Sequence, residues 1–117
     1  MKNFPSVKKN SDFRTTYKTG RKLVSRYFVM YVSQNDEGYT RLGLSASRKY
    51  GNSVERHRFQ RRMREIFRHY RHVTKAGYDM IIVARNEAKH AEHSQLVSEY
   101  ERLLKGHDIF IWDRSEL

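Results

Sequence analysis

The longest patterned stretch of the chain is Gly51 to Arg71, GNSVERHRFQRRMREIFRHYR. At about 100° per residue, Phe59, Met63, Ile66, Phe67 and Tyr70 fall within roughly a third of a helical circumference. Arg61, Arg64, Arg68 and Arg71 fall opposite, with His57 among them. The spacing predicts one amphipathic helix running to about His72, with one face for a core and the other for water or a polyanion. Asn52 suits its N-cap, with Glu55 completing a capping box, and Ser53 is the alternative cap. Lys75-Ala76-Gly77 should end it.

Strand patterns flank this helix. Tyr27 to Ser33, YFVMYVS, is strand-like in residue type and length. In Thr40 to Ser47, TRLGLSAS, the residues Leu42, Leu44 and Ala46 alternate to one side. The turn cluster Gln34–Gly38 between them predicts an antiparallel pair. Tyr78 to Ala84, YDMIIVA, is a continuous apolar run, as expected of a buried internal strand. Arg21 to Arg26 has room for one short edge strand. Ser11 to Thr19 reads as a short helix, capped by Asn10 or Ser11 and ended by a left-handed Gly20. Phe13 and Tyr17, at i,i+4, share one face of it. Arg85 to His93 is a polar connection. A last helix capped by Ser94 carries the inward stripe Leu96, Val97, Tyr100, Leu103 and Leu104 and stops at Gly106. Residues 1–10 read as a flexible basic arm. Residues 108–117 form a short tail whose Ile109–Trp112 can add an edge segment or pack back. The expectation is one domain over residues 1–117 with an α+β fold, an α/β sandwich built on a small mixed four-stranded sheet.

Composition adds a partner class. With 117 residues, 38% of them apolar, the chain has room for one modest core. It has no cysteine, so neither a disulfide framework nor a thiolate zinc site exists. It shows no secretory h-region and no run of transmembrane length, so a soluble cytoplasmic protein is expected. Residues 1–75 hold 19 Lys/Arg and 5 Asp/Glu, a net of +14; residues 76–117 hold 5 and 8, a net of −3. A field so lopsided points to nucleic acid. An anionic membrane fits less well, because the apolar face of the arginine helix is already committed to a core. The preference for arginine over lysine in that helix favours bidentate phosphate contacts.

Enzyme chemistry finds little support. Gly43 and Gly51 are isolated, so no phosphate-cradling loop is present, and no serine lies in a nucleophile-elbow pattern. His69/His72 and His90/His93 are i,i+3 pairs without an acidic or Cys partner at ligand spacing, and read as surface histidines. Asp79 stands alone at a strand start, so paired carboxylates for two-metal hydrolysis are missing. Binding is better supported. A merely solvated helix face mixes signs, whereas only Glu55 and Glu65 interrupt the positive charge here. Phe13, Tyr17, Phe28 and Tyr31, flanked by Lys9, Arg14 and Lys18, form a second constellation suited to stacking single-stranded bases. Phe28 reads as an ordinary core aromatic; Phe13 and Tyr17 read equally as core or as stacking rings.

The same residues carry a family resemblance. Arg41 to Arg68, RLGLSASRKYGNSVERHRFQRRMREIFR, resembles the signature of the bacterial ribonuclease P protein component. That signature is a strand of the R-x-G-x-S-x-S-K-K type, then G-N-A/S-V, then R-N-R-x-K-R-x-x-R-E. Lys8–Phe13 with Tyr17 and Gly20 is similar to that family's first helix. Phe28–Tyr31 and Tyr78–Arg85 resemble its strands, and Ser94–Lys105 its last helix. The resemblance covers nearly the whole chain, in order. His57 replaces the Asn of R-N-R, Gln60 replaces a Lys, and Tyr17 stands where Phe is common.

The resemblance implies a division of labour. The RNA subunit holds the catalytic Mg2+ and cuts the 5′ leader from precursor tRNA, and the protein contributes no catalytic residue and binds no metal alone. Arg56, His57, Arg58, Arg61, Arg62, Arg64 and Arg68 would face the RNA subunit. Phe13, Tyr17, Val29, Tyr31, Ser47, Lys49, Ala84 and Arg85 would line or rim a leader cleft. Partners would be the ribonuclease P RNA subunit and precursor tRNA, with neither membrane nor DNA. The family's crossover from residues 40–47 through the arginine helix to 78–84 is left-handed, against the general rule. The alternatives are a general RNA-binding module of ribosomal or translation-associated type, and a self-sufficient nuclease.

Overall fold

In chain order the elements are α1 (Asn10–Thr19), β1 (Arg21–Val24), β2 (Phe28–Gln34), β3 (Arg41–Ser45), α2 (Ser53–Tyr70), β4 (Tyr78–Ala84) and α3 (His93–Gly106). Short 3-10 turns occupy Arg71–Val73 and Asn86–His90. The computed structural model describes residues 5–112. The fold is α+β, three helices on a four-stranded mixed sheet ordered β1-β2-β4-β3.

The expected β2–β3 antiparallel pair does not form. β4 lies between them, antiparallel to β2 and parallel to β3. Its composition explains the outcome. Met80, Ile81 and Ile82 are fully buried, and successive strand residues face opposite sides. A strand apolar on both faces belongs where neighbours cover both edges and both faces. The segment that resembled a hairpin turn is tied to the start of β4 instead. Asn35 N–H donates to Gly77 O at 2.9 Å, and Asn35 Nδ2 donates to Asp79 Oδ1 at 2.8 Å. Arg41, opposite Asp79 in the parallel register, donates Nε and Nη2 to its two carboxylate oxygens at 2.7 and 2.6 Å.

One face of the sheet makes the core. Phe28, Met30, Val32, Leu42, Met80 and Ile82 pack with Phe59, Met63, Ile66 and Phe67 of α2 and with Leu96, Tyr100, Leu103 and Leu104 of α3. Each large side chain so buried contributes about 1.5–3 kcal/mol before its ordering entropy is counted. The apolar stripe of α2 is the one its period predicts, and Asn52 and Glu55 form the expected capping box. α3 starts two residues earlier than its pattern suggests. Glu92, not Ser94, holds the N-cap position, and its N–H donates to Gln95 Oε1 at 2.8 Å.

The other face carries α1. Neither Asn10 nor Ser11 caps it: Lys9 is the N-cap, without a side-chain bond. Gly20 is not left-handed either, with φ −77°. Glycine is needed there for space, since a Cβ would run into the Thr16 carbonyl oxygen as the helix turns straight into β1. The arm before α1 is pinned along β3: Leu42 N–H donates to Pro5 O and Val7 N–H to Leu42 O, both at 3.0 Å, and Val7 is buried. At the other end Phe110 bridges Thr74, and Ile109 is buried. Residues 1–4 of the arm and 113–117 of the tail lie outside the described residues.

Candidate nucleic-acid interface

With its apolar stripe buried, α2 has only one way to direct its cations. His57, Arg58, Arg61 and Arg68 are exposed; Arg56, Arg62 and Arg64 are half-buried. Two of these guanidiniums are braced by backbone. Arg56 Nη1 donates to Gly51 O at 2.8 Å, and Arg62 Nη2 donates to Ala91 O at 2.9 Å. Burial, and secondarily the charge of Arg58, lowers the pKa of Arg62 from its ordinary value. Ion pairs among the described residues join Arg41 to Asp79 and Asp12, Arg102 to Glu99, and Lys105 to Glu101. None of them includes Arg58, Arg61 or Arg68. The apolar Val54, 74% exposed, stands beside His57, Arg58 and Arg61 at the start of this face.

Across the sheet, side chains interlock. The Phe13 ring packs on Gly43, where an added Cβ would come within 2.9 Å of it. Tyr17 lies 6.3 Å from Phe13 and 4.9 Å from Tyr31, edge to face with the latter. Burial raises the pKa of the Tyr17 hydroxyl, and a hydrogen bond to Ser45 partly offsets this. Thr16, fully buried, joins its hydroxyl to that of Ser33 at 3.0 Å and fixes α1 over the sheet.

The register defines two rows on this face. Lys22, Tyr31, Ile81 and Gly43 form one, which α1 partly covers. Val24, Val29, Val83 and Ser45 form the next, where Val24 is 47% exposed and the other three are half-buried. Phe13, Tyr17 and Tyr31 thus stand along one side of a half-open strip of small side chains, here called the cleft, and Val29 lies in that strip on the same sheet face as Tyr31. Ser47 and Lys49 follow β3, and Arg85 follows β4; because these strands are parallel, all three exposed residues leave the sheet at the same end. Arg85 is held there by a 3.0 Å bond from Nη1 to Ser25 O.

Ala84 does not join the group. It pairs with Phe28, whose side chain faces the core, and so packs on the opposite side of the sheet from Val29. Its neighbour Val83 takes the cleft position. Sequence reasoning also passed over Ser45, Val24 and Lys22. A two-residue alternation counted from Tyr31 finds Val29 and Val83, once β4 is known to be the neighbour of β2.

Among the described residues no group of three or more His, Cys, Asp or Glu is placed to hold a metal ion. No helix among them is long and apolar enough to cross a membrane.

Comparison with known proteins defines first a class, the protein part of a tRNA-processing ribonucleoprotein. A family model for ribonuclease P matches residues 1–108. The ribonuclease P protein component of Lachnoclostridium phytofermentans is 40% identical over 104 residues, 89% of this chain and 90% of that protein. The structure of the Staphylococcus aureus RNase P protein matches with a TM-score of 0.81 at 37% identity, over 92% of this chain and 99% of that one. The RNase P protein from Thermotoga maritima matches with a TM-score of 0.79 at 28% identity, over 87% and 96%. The chain belongs to the ribonuclease P protein family. It is a component of ribonuclease P, the endoribonuclease holoenzyme of tRNA 5′ maturation, and membership implies association with the ribonuclease P RNA.

Proposed function

We propose that this chain uses two separate surfaces in the holoenzyme. The cations of α2, namely Arg56, His57, Arg58, Arg61, Arg62, Arg64 and Arg68, bind the catalytic RNA subunit. The cleft of Phe13, Tyr17, Val29 and Tyr31, with Ser47, Lys49 and Arg85 at its open end, binds the single-stranded 5′ leader of precursor tRNA. Chemistry resides in the RNA subunit and its Mg2+, and the protein raises affinity and positions the leader.

The observation that carries this reading is the exposure of Arg58, Arg61 and Arg68 on one helix face, outside every ion pair of the described residues. Clustered like charge is neutralised best by a polyanion, and guanidinium forks suit phosphate. The cleft's rings suit bases without demanding a particular one, because every base has a π-face.

The test is reconstitution with a bacterial ribonuclease P RNA. At low Mg2+ the protein is expected to rescue leader cleavage, and the protein alone is expected to cut nothing. If about five phosphates are neutralised, log K for assembly should fall against log salt with a slope of about −3.5 to −4.5. The double variant Arg58→Gln/Arg61→Gln should flatten that slope by about two. Phe13→Ala should leave assembly intact and weaken leader-dependent substrate affinity. Equal loss of assembly in both variants would sink the two-surface reading.

A further inference from the structure

Between the first turns of α2 and the 3-10 turn at Asn86–His90 lies a cavity of about 270 Å3. Tyr50, Glu55, Arg58, Arg62, Lys89 and His90 line it. Pockets for drug-sized molecules run roughly 300–1,000 Å3, so this one suits a smaller group. Cations reach it from two elements: Arg58 and Arg62, one turn apart on α2, and Lys89 from the 3-10 turn.

The turn is not free to carry Lys89 away. Ala88 and Ala91 are buried in the core, and Arg62 Nη2 ties Ala91 O to the helix at 2.9 Å. Lys89 Nζ lies 5.3 Å from the centroid of the Tyr50 ring, which Phe59 backs at 5.6 Å. Tyr50 is 4% exposed, and burial raises the pKa of its hydroxyl, which therefore keeps its proton and can donate. Against the three permanent cations stands one carboxylate, Glu55. Its Oε1 already accepts the Asn52 N–H at 2.9 Å in the helix cap. Like charges held together in a partly desolvated recess favour the entry of an anion.

We propose that this cavity seats one backbone phosphate of the RNA subunit. Arg58, Arg62 and Lys89 hold its oxygens, Tyr50 is the neutral donor, and His90 forms the rim. Arg62 has five donors and commits one of them to Ala91, so a fork remains for the phosphate. Arg58 lines both this cavity and the open face shared with His57 and Arg61. A strand whose phosphates follow α2 therefore passes its mouth. The inference rests on α2 being the RNA-subunit surface.

The experiment compares wild type, Lys89→Gln, Tyr50→Phe and Arg61→Gln in assembly with a ribonuclease P RNA across a salt series. Thermal unfolding of each variant serves as the fold control. Lys89→Gln is expected to unfold as wild type does, lose roughly five- to tenfold in assembly at low salt, and flatten the salt slope by about one. Tyr50→Phe should lose a smaller factor at unchanged slope. An unchanged affinity and slope in Lys89→Gln overturns the inference. If Lys89→Gln instead weakens only precursor-tRNA binding by the assembled holoenzyme, the phosphate belongs to substrate and the assignment is wrong. Binding of inorganic phosphate to the protein alone supplies the third arm. Loss of that binding in Lys89→Gln with assembly unaffected would mark a free-anion site and also overturn the proposal. Arg61→Gln lies outside the cavity and separates the two ideas. If Arg61→Gln weakens assembly while Lys89→Gln does not, the helix-face reading stands and the cavity proposal fails; if neither variant weakens it, both fail.

Discussion

The outward side chains of α2 and the cleft side chains of α1 differ in how far the protein itself uses them. On α2, Arg58, Arg61 and Arg68 are exposed and outside the ion pairs. Under α1, Phe13 rests on Gly43, Thr16 is bonded to Ser33, and Tyr17 is shared between Tyr31 and Ser45. One surface stores unneutralised charge on a rigid rod, where affinity should rise steeply as salt is lowered. The other stores shape, with rings pre-positioned so that little is lost in ordering them when a base arrives. On the proposed roles, assembly and substrate contact should respond to different solution conditions.

The largest expected effect tests whether shape on the cleft side depends on its buried ion pair. Asp79 and Arg41 have side chains only 7% and 15% exposed. Asp79→Ala leaves Arg41 and Asn35 without their shared acceptor, and should lower unfolding free energy by about 3–5 kcal/mol, read by urea denaturation. Asp12 of α1 also reaches Arg41, at 3.5 Å. At temperatures where the variant is still folded, leader affinity should therefore fall before RNA-subunit affinity; equal decline would erase the contrast. Next in size, Phe13→Ala should weaken leader binding by the roughly 1–3 kcal/mol typical of one aromatic–base stack. Its salt slope should match wild type. A flattened slope would show that the cleft also binds mainly through charge.

A smaller effect belongs to the start of the arginine helix. Asn52→Ala removes a bond to the Glu55 N–H at 2.9 Å and should cost about 1 kcal/mol of stability. Thermal melts can check this, and leader affinity should not change. The smallest effect is on pH. Burial lowers the pKa of His107 below its ordinary 6.5; Arg21 pushes the same way, and the bond to Met30 O partly opposes it. The unfolded chain then takes up the proton first. Stability should be complete above about pH 6.5 and decline as pH falls through it. His107→Gln should flatten that decline in unfolding curves between pH 5 and 7.

The helix periods were legible because they are local. The stripe Phe59, Met63, Ile66, Phe67 follows from spacing alone, and so does the Asn52–Glu55 cap. Strand partnership was not. YFVMYVS, a turn cluster and TRLGLSAS satisfy every local rule for a hairpin, yet YDMIIVA, far along the chain, takes the place between them. The same blindness explains Ala84. A residue's face is fixed by register against a neighbour, and one step of register moves every side chain to the other side. Gly43 looked like an isolated glycine. Only the packed structure shows that its missing Cβ makes room for the Phe13 ring. The cavity beside Tyr50 joins residues from before α2, within it and well after it, and no sequence window contains them together.

The placement of β4 has a consequence for how the chain comes into being. Until Tyr78–Ala84 has been synthesised, β2 lacks one neighbour and, among the described residues, β3 lacks the one strand it pairs with in the sheet. Their edges wait open on the nascent chain. Sheets closed by a late central strand fold slowly and are exposed to mispairing with other chains. The portion that must wait is residues 1–75, which carries the net charge of +14. Mutual repulsion keeps such unfinished chains apart. The charge that suits the finished subunit to RNA thus also protects its precursor from association during the interval before β4 arrives.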